Sequence, residues 1–134
     1  MRKLAILPLM ILLSSQFIFG QTKQKITHMT LLDFSSIDHA EICKYTKPII
    51  DSTIGAIHRQ LNSEQIKNFV DEWNNSTYIG VCKFKPKYRI DIYLKDGTKR
   101  TFQINGSAKE SRDYCYEPAN KKYFKTLWDK ANPK

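Results

Sequence analysis

The stretch YRIDIYLKDGTKRTFQI, residues 88–104, decides the fold. Tyr88, Ile90, Ile92 and Leu94 alternate with Arg89, Asp91, Tyr93 and Lys95, and Phe102 and Ile104 stand among polar neighbours beyond Asp96-Gly97. A period of two marks half-buried strands, and Asp-Gly between two such runs marks a hairpin. Parity then selects the turn. A two-residue Asp96-Gly97 turn would set Phe102 opposite Asp91, on the wrong face. A three-residue loop, Lys95-Asp96-Gly97, pairs Ile90 with Phe102 and Tyr88 with Ile104, and puts Gly97 at the left-handed position that such a loop requires. The outer face of this hairpin is Arg89, Asp91, Tyr93, Lys99, Thr101 and Gln103, a mixed polar surface open to water.

Upstream of the hairpin, Thr77 to Lys85 reads as another strand, with Pro86 turning the chain before Tyr88, so that these three strands are expected to form a meander. Before it, Ile66, Phe69, Val70 and Trp73 recur at helical spacing and predict a helix over Ser63 to Asn74. Asn62 stands in capping-box spacing with Gln65, and Asn74, Asn75 and Ser76 supply the stop. Ile26 to Phe34 and Thr53 to Leu61 read as two further strands, with residues 35 to 52 between them as loop or a short element. At the other end, Tyr123, Phe124, Leu127, Trp128 and Ala131 sit at helical spacing after Pro118 and predict a C-terminal helix. The fold class expected is α+β: an antiparallel β-sheet, a meander with a hairpin in the C-terminal half, packed on one face by one or two amphipathic helices. The other sheet face is left wet or available to a partner.

The first twenty residues have the layout of an export signal. Arg2 and Lys3 precede the apolar run Leu4 to Leu13, and Gly20 offers the small residue wanted before a cut. Pro8, Ser14, Ser15 and Gln16 break the apolar run well short of the roughly 20 residues that a spanning helix needs. The expected organisation is a signal peptide over 1–20 and a single small domain over 21–134, its folded part running from about Lys25 to Ala131. Membrane contact is expected only through the signal before cleavage, and the product is exported, either periplasmic or secreted. The whole chain carries a net charge of +9. Without residues 1–20 it keeps 20 basic against 13 acidic residues, a net +7.

Cys43, Cys82 and Cys115 are the chain's three cysteines, and an oxidising compartment favours pairing two of them. Closing the loop between Cys82 and Cys115, or between Cys43 and Cys82, is worth about 3.5–4 kcal/mol in chain entropy either way, which does not choose. The Cys82–Cys115 pair is preferred because it ties the C-terminal segment to the central sheet. That choice leaves Cys43 as a buried thiol or an intermolecular partner.

Among groups with chemical potential, Asp38, His39, Glu41 and Cys43 form the one local cluster of metal-capable side chains. Their spacing matches neither Cys-x-x-Cys nor His-x-x-x-His, so no metal or other cofactor is expected. His28 and His58 stand in the expected strands, and a thiol enzyme or hydrolase could combine Cys43, Ser52 or Asp51 with a histidine only through the tertiary fold. No nucleophile elbow, Walker loop or dinucleotide fingerprint is present, and no catalytic residue is assigned. Lys83 to Arg89 and Lys121 to Lys125 interleave basic and aromatic residues, but alternation of core and surface positions explains both runs, and no nucleic-acid partner is expected. Asn105-Gly106-Ser107, Asn74-Asn75-Ser76 and Asn75-Ser76-Thr77 match the short glycosylation pattern.

The function expected from the sequence is that of an exported, non-enzymatic binding module for a partner protein or an anionic surface polymer. It would use the exposed sheet face, with Arg89, Tyr93, Lys99 and Gln103, or the loops around Cys43 and Lys109 to Glu117. A small thiol enzyme or hydrolase using Cys43 with His39 or His58 is the alternative, and a structural envelope component is the third reading.

Overall fold

The hairpin forms as parity requires in the structure of the chain, a computed structural model that describes residues 29–46 and 56–133. The signal expected over residues 1–20, together with His28, Asp51 and Ser52, lies outside the described residues. Tyr88–Leu94 and Lys99–Asn105 are antiparallel, with Ile90 opposite Phe102 and Tyr88 opposite Ile104. The loop between them is Lys95-Asp96-Gly97, closed by the Gly97 amide donating to the Leu94 carbonyl at 3.0 Å. Gly97 has φ +89°, which a side chain would strain. Asp96 Oδ1 accepts from the Thr98 amide at 2.9 Å, fixing the turn from its own side chain.

Around this hairpin the described residues build an antiparallel sheet. In chain order the elements are β1 (Ile37–Tyr45), β2 (Ala56–Gln60), α1 (Ser63–Asn74), β3 (Thr77–Val81), β4 (Tyr88–Leu94), β5 (Lys99–Asn105), β6 (Ser107–Lys109), β7 (Tyr114–Glu117), α2 (Tyr123–Lys130) and β8 (Asn132–Pro133). They line up as β3-β7-β6-β5-β4-β1-β2-β8, an eight-stranded sheet. A mixed α+β fold with helices packed on an antiparallel sheet is therefore what the chain adopts.

Both helices lie on one face. On α1, Ile66, Phe69, Val70 and Trp73 are buried. Asn62 and Gln65 form the full capping box, each side chain accepting from the other's backbone amide at 2.8 and 2.9 Å. On α2, Phe124, Leu127 and Trp128 are buried. The helix begins at Tyr123, five residues past Pro118, with Lys122 at the N-cap position and no side-chain cap; Asn120 Oδ1 accepts from the Lys122 amide at 2.9 Å in the turn just before it. Phe102 is the hub: the rings of Phe69 and Trp73 meet it edge-on at 5.2 and 4.7 Å. Burying each such side chain contributes about 1.5–3 kcal/mol. Trp73 Nε1 donates to the Thr30 carbonyl and Asn74 brackets Leu32 from both sides. These contacts tie residues 29–33 to α1.

Three expectations are corrected. Residues 37–45 form β1, paired with both β4 and β2, where a loop or short element was expected. The described part of the strand expected over Ile26 to Phe34 has no regular pairing and leads into a 3₁₀ turn, Phe34–Ser36. The third concerns β3, which ends at Val81 and pairs with β7 at the far edge, not with β4. A strand has two edges, and those of β4 are taken by β5 and β1. The meander is β4-β5-β6-β7, turned tightly at Gly106 (φ +77°) between β5 and β6.

Cys82 is bonded to Cys115, with Cα atoms 5.9 Å apart, and Cys43 is the buried free thiol. Among the described residues no helix is long and apolar enough to cross a membrane. A disulfide is compatible with an extracellular protein.

Candidate functional site

The side of the sheet away from both helices is organised in three rows, because residues paired across antiparallel strands point the same way. His58, Cys43, Arg89, Gln103 and Lys109 make one row, and Glu41, Asp91 and Thr101, with Gln60 beyond Glu41, make the next. His39, Tyr93 and Lys99 make the third. Arg89, Tyr93, Lys99 and Gln103, singled out from the sequence as a possible interaction surface, thus lie together on this face.

Side chains within and between rows are bonded to one another. Asp91 is buried, with 1% of its surface exposed, and is held by Arg89 Nε at 3.0 Å and Thr101 Oγ1 at 2.9 Å. Arg89 also directs Nη2 to Cys43 Sγ at 3.5 Å. Burial works to depress the Arg89 guanidinium, but Asp91, Cys43 and Tyr45 outweigh it and keep it firmly protonated. Cys43, fully buried, meets His58 Nδ1 at 3.0 Å, and the same nitrogen lies 3.3 Å from Glu41 Oε1. Tyr93 Oη stands 3.5 Å from that carboxylate oxygen. Burial pushes the Cys43 thiol above its ordinary 9.0; Arg89 pulls it back, while Asp91 and Glu41 push it further up.

Of the cluster Asp38, His39, Glu41 and Cys43, only Glu41 and Cys43 belong to this site. His39 turns to Asp38 at 2.7 Å and stacks on Tyr93 with centroids 4.3 Å apart. The missing partner is His58, from β2, brought directly opposite Cys43 by the β1–β2 register. The signal was in the spacing: in a strand, residues two apart share a face, so Glu41 and Cys43 project together. Asp91 and Thr101, buried or half-buried in the centre, were placed on this face by sequence parity but assigned no role.

At the β6–β7 end the crossover from β3 to β4 runs against this face. Cys115 and Lys109 project from it to meet Cys82 and the ring of Phe84, whose centroid is 4.4 Å from Lys109 Nζ. Lys109 is buried and paired with Asp113 at 3.0 Å. At the hairpin end, His39, Tyr93, Lys95 and Thr98 border a shallow open depression of about 380 Å³.

The chain matches no protein-family model, no curated protein and no solved structure. Cys43 with His58 is a thiol–imidazole contact within proton-transfer reach. Glu41 and Cys43 share Nδ1, however, so the carboxylate does not stand at the far ring nitrogen, where the orienting acid of a nucleophile–base–acid relay belongs. A buried thiol with a raised pKa is a poor nucleophile.

Proposed function

We propose that this is an exported, non-enzymatic binding module whose working surface is the polar sheet face. The observation that carries the reading is the three-row array of cross-strand polar and aromatic side chains on the face that neither α1 nor α2 covers. Residues bonded to one another in this way are pre-ordered, which lowers the entropic cost of association. The ligand class favoured is a partner protein with a mixed polar surface. Arg89 is neutralised by Asp91 and Lys109 by Asp113, so the face offers little net positive charge to a polyanion. Export is part of the proposal and rests on the N-terminal pattern of residues 1–20 together with the disulfide.

The test is capture from native envelope and medium with the tagged protein, washed at low and then at high salt. A partner protein is expected to survive high salt, to be lost with a Tyr93→Ala/Lys99→Glu/Gln103→Arg face variant, and to be kept by Lys122→Glu on the helix side. Capture that is equal for both variants would refute the assignment of the face, and polyanionic material released by salt would replace the ligand class.

A thiol enzyme is the second reading, favoured by the 3.0 Å contact between Cys43 and His58. It requires fast alkylation of Cys43 by iodoacetamide near neutral pH, abolished in His58→Gln. Alkylation that is slow in both proteins would eliminate it.

A further inference from the structure

Glu41, Cys43 and His58 offer one carboxylate oxygen, one thiol sulfur and one ring nitrogen, all within 4.8 Å of one another. The backbone dictates this convergence. Cys43 and His58 are directly paired across β1 and β2, and Glu41, paired with Gln60, stands diagonally to His58 within reach of its longer side chain. We propose that this trio is a binding site for a borderline divalent cation of the zinc class, held by Cys43 Sγ, His58 Nδ1 and Glu41 Oε1 with a fourth position open. The proposal goes beyond partner docking and stands or falls independently of it.

The distances fit such an ion. With Zn–S near 2.3 Å and Zn–N or Zn–O near 2.0–2.1 Å, tetrahedral geometry separates sulfur from nitrogen by about 3.5 Å and nitrogen from oxygen by about 3.3 Å. The observed separations are 3.0 and 3.3 Å. The Cys43–His58 gap must open by about 0.5 Å, which a small rotation of the partly exposed His58 ring supplies, and the Glu41 oxygen, within 4.8 Å of Cys43 Sγ, must settle at about 3.5 Å from it. Charge also fits. A thiolate and a carboxylate balance a divalent cation, with the thiol proton released to solvent on coordination, and the adjacent Arg89–Asp91 pair is neutral by itself. Arg89 Nη2 at 3.5 Å from Sγ and Tyr93 Oη at 3.5 Å from Glu41 Oε1 are placed to support the ligands from behind. The mixed sulfur, nitrogen and oxygen donor set selects zinc-like ions over magnesium and calcium, which take oxygen. Glu41 and Cys43 are buried, while His58, 38% exposed, leaves an entry path.

The experiment uses the purified protein with its disulfide intact, so that Cys43 is the one thiol, and titrates it with Co²⁺ and then Zn²⁺. Expected are a thiolate-to-cobalt charge-transfer band in the near ultraviolet with one equivalent of Co²⁺, its displacement by one equivalent of Zn²⁺, and no competition from excess Mg²⁺ or Ca²⁺. Cys43→Ser should abolish the band. His58→Gln, at a partly exposed side chain, and Glu41→Gln, at a buried one, should each weaken Zn²⁺ binding by at least about 100-fold, and Tyr93→Phe, which removes only a supporting hydroxyl, by less, about 10-fold. Absence of the band in the parent protein overturns the site, as does a band or affinity unchanged in His58→Gln whose unfolding midpoint matches the parent. Displacement by Mg²⁺ or Ca²⁺ overturns the ion class.

Discussion

The two faces of the central sheet are built from alternate residues of the same strands, yet they are held in different ways. On the helix-covered face Ile42, Ile90, Phe102 and Ile104 are wholly buried against Phe69 and Trp73, and non-directional burial does the work. On the polar face Asp91 and Cys43 are as deeply buried, but each touches named partners at hydrogen-bond distance. The first face tolerates shape errors poorly, whereas the second tolerates the loss of a partner poorly. That contrast is open to measurement.

The largest effect is expected from the apolar side. Phe102→Ala removes the ring between Phe69 and Trp73 and should cost about 3–5 kcal/mol, read from urea unfolding; a loss below about 1 kcal/mol would mean the helices pack less closely than described. Reducing the Cys82–Cys115 link, which closes a loop of 33 residues along the crossover on the polar side, should cost about 3.7 kcal/mol, measured as the shift in unfolding midpoint with and without reductant. On the polar face proper, Asp91→Asn leaves Arg89 beside a neutral amide and should cost about 1–3 kcal/mol. Removing both partners in Arg89→Met/Asp91→Leu should recover much of that loss. If the double variant is no better than the single, the polar face is held by packing after all and the contrast fails.

The smallest effect separates the faces by pH. Burial, reinforced by Glu72 and Asp71, raises the Tyr123 phenol on the helix side well above its ordinary 10.0. A folded-state value above the unfolded one gives stability that is complete below pH 10 and is lost as pH rises through the folded value. The stability difference between parent and Tyr123→Phe should therefore be flat below pH 10 and move against the parent above it, as followed by chemical unfolding at a series of pH values. Because the Tyr123 hydroxyl is buried without a hydrogen-bond partner among the described residues, Tyr123→Phe should cost little or nothing at neutral pH. A clear loss there would show a partner for the hydroxyl.

Much of the fold was legible because local rules acted alone. The helix at Ser63–Asn74 matches in bounds and cap, since both depend on spacing and on side chains three residues apart. The hairpin matches in loop length and register, since parity admits one solution. The disulfide pairing is the one expected, though it joins neighbouring strands at the sheet edge: Cys115 lies in β7, and Cys82 directly follows β3, which pairs with β7. β1 was missed for the opposite reason. Its outward residues His39 and Glu41 make it look like a loop, and only their pairing across the sheet with Tyr93 and Asp91 makes a strand of such composition stable.

The candidate site shows the same division. Sequence determined that Cys43 is unpaired if Cys82 joins Cys115, that Arg89, Asp91 and Tyr93 share a face with Lys99, Thr101 and Gln103, and that one sheet face is apolar, because these follow from chain order and a period of two. Tertiary structure decided that β1 lies between β2 and β4, and with it that Glu41 and Cys43 meet His58 and not His39. Strand order is a choice among edges that differ little in local energy, settled by the burial of the central strands against α1 and α2, and no spacing along the chain records it.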